Sequence, residues 1–375
     1  MATKKLYLKT VLFVAVLLLS ASVGAQSKID SILKITIQQI YDNPDRVINL
    51  GTKLLDEDDI TADNMVRVIL TISTAYSSKR DYKKSIEYTL DALKLLPKLT
   101  DSYLKINLLN RIGGQYEELK IYDKSITYLN QANELIEKMP KDEEIYRSLG
   151  YNNLVRGLIY REQMSCDTAL KYFEMAINDY KKIIDHPAAQ VNISTSYYNR
   201  GNCLITLGRF SQAEKSFLQA VNFAQQIDAK SLIAFAQKGL AEVYTAQSEY
   251  NKSIAILEAA LQNSEDVGDK ILNRALYNAL ATNYAATGNF QKYSFYKRKN
   301  QEIHNEVTMV ERQTVDNSII DNITTNTAKI SKAKNTTKLL QIILFPLILL
   351  GVIFIIRTII TSEKTLKSLK KRLQS

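Results

Sequence analysis

Residues 113–132 read Gly113-Gly114-Gln115-Tyr116-Glu117-Glu118-Leu119-Lys120-Ile121-Tyr122-Asp123-Lys124-Ser125-Ile126-Thr127-Tyr128-Leu129-Asn130-Gln131-Ala132. Tyr116 follows Gly113 by three residues. Tyr122, Ser125, Leu129 and Ala132 then come at steps of six, three, four and three. Steps of three and four put side chains on one face of a helix. The stretch therefore reads as two helices meeting at a turn near Tyr122. The pattern recurs about six times between Met65 and Asn300. A repeat of this length implies a stacked solenoid.

Working outward, the first copy holds Ile69, Ile72, Ser73 and Tyr76, then Ser85, Thr89 and Ala92, with Pro97 after them. The third holds Gly157, Tyr160, Ala169, Phe173 and Ala176. The fourth holds Tyr197, Gly201, Leu204, Gly208, Phe210, Ala213, Phe217 and Ala220. The fifth holds Ala241, Tyr244, Tyr250, Ser253, Leu257 and Ala260. The sixth holds Tyr277, Ala281, Tyr284, Gly288 and Phe290 before the pattern fades. Gly113, Gly157, Gly201 and Ala241 allow the first helix to approach its partner closely. Tyr82, Tyr122, Phe210 and Tyr250 are expected to plug the turn. Each hairpin exposes an apolar face that only the next can cover, so isolated copies should not fold.

These residues in register resemble the tetratricopeptide-repeat family over roughly residues 65–300. The resemblance implies an all-α solenoid of helical hairpins. Two departures stand out. The chain has no tryptophan, which the family favours at the head of its motif. Equivalent positions (76, 116, 160, 204, 244, 284) lie 40, 44, 44, 40 and 40 residues apart, against the family's usual 34. Added helical turns account for that length.

The ends of the chain indicate a compartment. Residues 1–25 read as a secretory signal: Lys4, Lys5 and Lys9, an apolar run from Val11 to Leu19, and a small-residue exit through Val23 and Ala25. Cleavage near Gln26 is expected, with an uncleaved anchor as the alternative. Residues 339–356 carry no charge and are apolar on every face, and extended to 360 the run is long enough to cross a bilayer. Of 49 basic and 39 acidic residues, nine basic and one acidic fall within residues 1–9 and 357–375. The body between is close to neutral, so no nucleic-acid face is expected. The basic tail 361–375 fits the positive-inside rule.

The expected organisation is a signal peptide (1–25), an amino-terminal cap hairpin (26–64) with Pro44 opening its second helix, repeats (65–300), a cap helix and polar tether (301–338), a transmembrane helix (339–360) and a basic cytoplasmic tail (361–375). The expected location is the bacterial inner membrane, single-pass, with the repeats periplasmic. This layout resembles the sensor half of membrane-anchored regulators with such repeats, without their output domain.

No catalytic signature is present, and neither an enzyme nor a cofactor is expected. His186 and His304 are the only histidines and stand too far apart to suggest a metal pair. The run Asp56-Glu57-Asp58-Asp59 lacks the alternation of a calcium loop. Glu117-Glu118 and Glu143-Glu144 are adjacent pairs, which on helices do not aim at one reacting atom. Cys166 and Cys203 are open to two readings, an inter-hairpin disulfide or packing residues.

The resemblance places a concave groove along the first helices. Carried onto this chain, its lining is Arg67, Asn107, Asn110, Tyr151, Tyr198, Asn202, Phe235, Lys238 and Asn278. Amides and aromatics there suit a protein or extended peptide. Some family members clamp a carboxylate with a Lys/Asn/Arg set, which Asn202 and Lys238 match in part. The expected role is an adaptor or sensor in envelope signalling, with a structural scaffold for an envelope complex as the alternative. Its other expected partners are the bilayer, through one helix, and a cytoplasmic protein at the tail.

Overall fold

The structure is a computed structural model that describes residues 43–57, 60–264 and 269–305, with residues 32, 33, 40 and 362. All regular structure among them is helical: α1 (Pro44–Leu55), α2 (Ala62–Ser78), α3 (Tyr82–Leu93), α4 (Ser102–Glu118), α5 (Tyr122–Ile136), α6 (Glu143–Glu162), α7 (Cys166–Lys181), α8 (Pro187–Thr206), α9 (Phe210–Gln225), α10 (Lys230–Ala246), α11 (Tyr250–Ser264) and α12 (Lys270–Ala286). Residues 290–305 are helical as well. From α2 onward the helices pair as hairpins, each packed on the next. The expected signal peptide and residues 339–360 lie outside the described residues. Among the described residues, no helix is long and apolar enough to cross a membrane.

Local chemistry sets the helix ends. Pro44 opens α1, and the Asn43 side chain accepts from Arg46 N at 3.2 Å. Asp101, Asp142 and Asp269 cap α4, α6 and α12 in the same way. His186 caps α8, its Nδ1 accepting from Ala188 N at 3.0 Å. Such caps satisfy amide groups that the helix itself leaves open.

Every hairpin turns at one left-handed residue: Arg80, Lys120, Met164, Gly208, Ser248 and Gly288. The amide of the next residue then bonds back to the carbonyl at the repeat position, as in Asp81 N to Tyr76 O (3.0 Å) and Ser165 N to Tyr160 O (2.9 Å). This helix-ending motif favours glycine at the left-handed site. Tyr82, Tyr122, Phe210 and Tyr250 begin the second helices and are half-buried; Cys166 takes that place in the third hairpin.

The longer spacings reside in the helices. First helices α6 and α8 run 20 residues, against 17 for α2, α4, α10 and α12. Close approach is visible at Gly157, where an added Cβ would come within 2.5 Å of the Phe173 ring. Phe173 and Phe217 are fully buried, and burying a side chain of that size stabilises by roughly 1.5–3 kcal/mol. Ser85, Ser125 and Ser253 each donate across their hairpin, to Ser73 O (2.8 Å), Gly113 O (2.6 Å) and Ala241 O (2.9 Å). The repeat tyrosines stack on partners in the same hairpin: Tyr76 on Tyr88 (5.4 Å between centroids), Tyr116 on Tyr128 (5.7 Å) and Tyr160 on Tyr172 (5.3 Å).

Neighbouring first helices pack on one another, α2 on α4, α4 on α6, and onward to α12. Second helices of neighbouring hairpins make little contact with each other. The first helices therefore form the inner layer of a curved solenoid.

Candidate functional site: the inner cleft of the solenoid

A cleft of about 360 Å³ opens on the inner layer, lined from four successive first helices. Helix α2 contributes Thr71 and Thr74, α4 contributes Asn107, Asn110 and Arg111, α6 contributes Arg147, Ser148 and Tyr151, and α8 contributes Asn192. The spacing explains the convergence. Asn107 and Arg111 are four apart on α4, as are Arg147 and Tyr151 on α6, so each pair shares a helix face.

The amides build the floor. Asn110 is buried; its Nδ2 donates to Ser148 O at 3.1 Å, and its Oδ1 accepts from Asn152 Nδ2 at 2.8 Å. Asn107 Oδ1 accepts from Ser148 Oγ at 3.3 Å. Both tie α4 to α6 and so hold the cleft's shape. Gly114 makes room for Tyr151, since a Cβ there would collide with the tyrosine hydroxyl. Burial pushes that hydroxyl up to about 12, with the Arg111 guanidinium pulling the other way. Tyr151 thus stays a neutral donor at ordinary pH.

The two arginines are incompletely satisfied. Arg111 Nη2 donates to Ser77 Oγ at 3.0 Å, and Arg147 Nη2 pairs with Glu144. The Nε of each is buried and has no hydrogen-bond partner. A buried donor without an acceptor destabilises by about 1–3 kcal/mol, and such groups are uncommon in native proteins. Burial also pushes the Glu118 carboxyl up, against the pull of nearby Arg111.

Of the nine positions carried over from the repeat family, the structure brings Asn107, Asn110 and Tyr151 into this cleft. Arg67 is an exposed partner of Asp101 at 3.4 Å. Tyr198 lies between Phe217 and Phe235, with centroids 6.0 Å away in both directions, so Tyr198 and Phe235 join a packed aromatic group. Burial works to lower the Lys238 pKa, but Glu242, 2.6 Å away, and Tyr198 outweigh it and hold it above its usual value. Asn202 is half-buried and Asn278 is exposed. Arg111 and Arg147 were not among the nine. Their four-residue spacing from Asn107 and Tyr151 was the available signal.

Cys166 and Cys203 are free thiols buried in one cluster with Leu154 and Phe173. Burial and the neighbouring Cys166 thiol push the Cys203 thiol up. Among the described residues, no group of histidine, cysteine, aspartate or glutamate could hold a metal ion.

Comparison with known proteins agrees on the architecture. The tetratricopeptide-repeat family pattern matches residues 194–227, which cover most of α8 and all of α9. The chain is similar to the regulatory protein RapK of Bacillus subtilis (strain 168), with 22% identity over 187 residues, 49% of this chain and 48% of RapK. It thus spans about half the length of that curated relative. Among solved structures it resembles a signal-transduction ATPase with a tetratricopeptide-repeat sensor from Pyrococcus horikoshii (TM-score 0.57, 16% identity, 76% of this chain and 43% of that one). It also resembles NprR in complex with its cognate peptide NprX (TM-score 0.53, 16% identity, 73% and 78%). A third likeness is a Rap protein complexed with competence and sporulation factor (TM-score 0.50, 14% identity, 76% and 99%). The shared feature is the fold, an all-α solenoid of tetratricopeptide type.

Proposed function

We propose that this chain is a non-enzymatic binding protein whose inner cleft receives a peptide or an extended protein segment, as the input step of a signalling adaptor. One observation carries the reading: four successive first helices contribute polar and aromatic side chains to a single cleft. Its size falls within the range of ligand sites, about 300–1,000 Å³. The NprR and Rap structures, whose likeness to this chain is one of fold, were each solved with a peptide or factor bound, which supports a peptide as the occupant of this cleft. Export of the repeats and a single membrane tether complete the proposal. They rest on the charge and hydropathy of residues 1–25 and 339–360.

The test places a photo-crosslinking residue in the full chain, at Asn192 in the cleft or at exposed Met175 on α7. A peptide or extended segment attached from Asn192 and not from Met175 is the expected outcome. The same adducts from both positions would remove the groove from the account. A reporter active only outside the cytoplasm, fused after Asn300, tests export separately; an inactive reporter on stable protein would overturn it.

A further inference from the structure

We propose that the cleft selects acidic peptides, taking one aspartate or glutamate side chain between the guanidinium groups of Arg111 and Arg147. The inference rests on the groove reading above and specifies its ligand.

The argument begins with unmet donors. Arg111 and Arg147 stand on consecutive first helices and line the same cleft. Each keeps a buried Nε–H that no described group accepts. Guanidinium donors form a planar fork that matches the two oxygens of a carboxylate. A neutral amide offers one acceptor oxygen and brings donors that would face donors.

The local charges leave room for an anion. Arg147 is compensated through Nη2 by Glu144, a neighbour on its own helix. Arg111 bonds to the neutral Ser77 hydroxyl. The Glu118 carboxyl stands near Arg111, and burial pushes its pKa up against the pull of that guanidinium. Asn110 donates to the α6 backbone and Asn107 accepts from Ser148; among the described residues, the buried side-chain donors without an acceptor are the Nε–H groups of the two arginines. The cleft crosses α2, α4, α6 and α8. A chain lying along it passes beyond both arginines, so the group read there is a side chain, not a terminus.

The experiment uses fluorescein-labelled, carboxy-amidated hexapeptide mixtures in which one position is fixed as Glu, Gln, Lys or Ala. Binding to the full chain is followed by fluorescence anisotropy. Charge-assisted hydrogen bonds predict that Glu outbinds Gln at one position by about tenfold or more. That preference should shrink with added salt and fall to near parity in Arg111→Gln and in Arg147→Gln. Circular dichroism checks each variant's folding. If Arg111→Gln unfolds, Arg147→Gln, whose side chain is 31% exposed, carries the test. Equal binding of Glu and Gln mixtures, or a preference that survives the replacements, overturns this inference and leaves the groove reading standing. A parallel set of the same mixtures with free carboxy-termini that binds while the amidated set shows no preference for Glu also overturns it. Absence of binding by every mixture overturns the groove reading with it.

Discussion

Arg80 and Asp269, 189 residues apart in the chain, meet at 3.5 Å. Arg80 is the left-handed residue of the α2–α3 turn, and Asp269 caps α12. The first hairpin therefore reaches the loop ahead of the sixth. This contact bears on the curvature of the solenoid, which follows from small rotations accumulated at each repeat.

The pair and the cap can be separated by mutation. Asp269→Asn keeps an acceptor for Ile271 N (2.9 Å) and Leu272 N (3.1 Å) but removes the charge. It should change stability by less than about 1 kcal/mol, as expected of a partly exposed pair. Asp269→Ala also removes the cap and should destabilise by about 1 kcal/mol more. Denaturant titration of the full chain measures both. Equal losses for the two variants would show that the charge matters and the cap does not.

The turn residues offer a stabilising change. Met164 sits at φ 60° with its side chain 82% exposed. A left-handed conformation strains any residue with a Cβ by about 1–2 kcal/mol. Met164→Gly should therefore raise the melting temperature by about 2–4 °C for a domain of this size. Gly208 and Gly288 already occupy the same position in later hairpins. An unchanged or lower melting temperature would mean that strain at this turn is relieved elsewhere.

Gln115 is the hub of a buried polar network. Its Nε2 donates to Ser73 Oγ and Ser85 Oγ, both at 2.5 Å, and its Oε1 accepts from Thr89. Gln115→Met nearly keeps the volume but removes three buried hydrogen bonds at the junction of α2, α3 and α4. A loss of about 1–3 kcal/mol is expected in denaturant titration. The same network reaches the cleft through Ser77, which bonds to Ser85 at 2.8 Å and to Arg111 at 3.0 Å.

Glu117 makes stability depend on pH. Burial first, and the neighbouring Glu118 second, push its carboxyl from 4.5 up to about 7. A raised pKa means that the folded state holds this proton more tightly than the unfolded chain. Its stabilising contribution is therefore full below about pH 4.5 and is lost as pH rises toward 7. Glu117→Gln should raise stability at pH 8 and flatten the thermal-stability profile between those values. A profile identical to wild type would place the titration on another group.

The repeat was legible because its determinants are local. Tyr116, Ser125, Leu129 and Ala132 mark one hairpin by helical periodicity, and each later copy restates it. The jump from 40 to 44 residues correctly signalled longer helices, since inserted residues extend a helix by a fixed rise. The groove was legible only in outline. Position within a repeat places Asn107, Asn110, Tyr151, Tyr198 and Lys238 on comparable faces. It does not say which neighbours reach them. Phe217 and Phe235 pack against Tyr198, and Glu242 neutralises Lys238.

What the sequence determined alone was the all-helical hairpin repeat, its register and its lengthened helices, because periodicity and turn chemistry act between residues close in the chain. What only the tertiary structure decided was where the inner face stays open. The cleft assembles Thr74, Arg111, Arg147 and Asn192 from four hairpins, and the unmet Nε donors of the two arginines emerge only once every neighbour is in place. Hydrogen-bond satisfaction is a property of the packed whole, and no spacing along the chain encodes it.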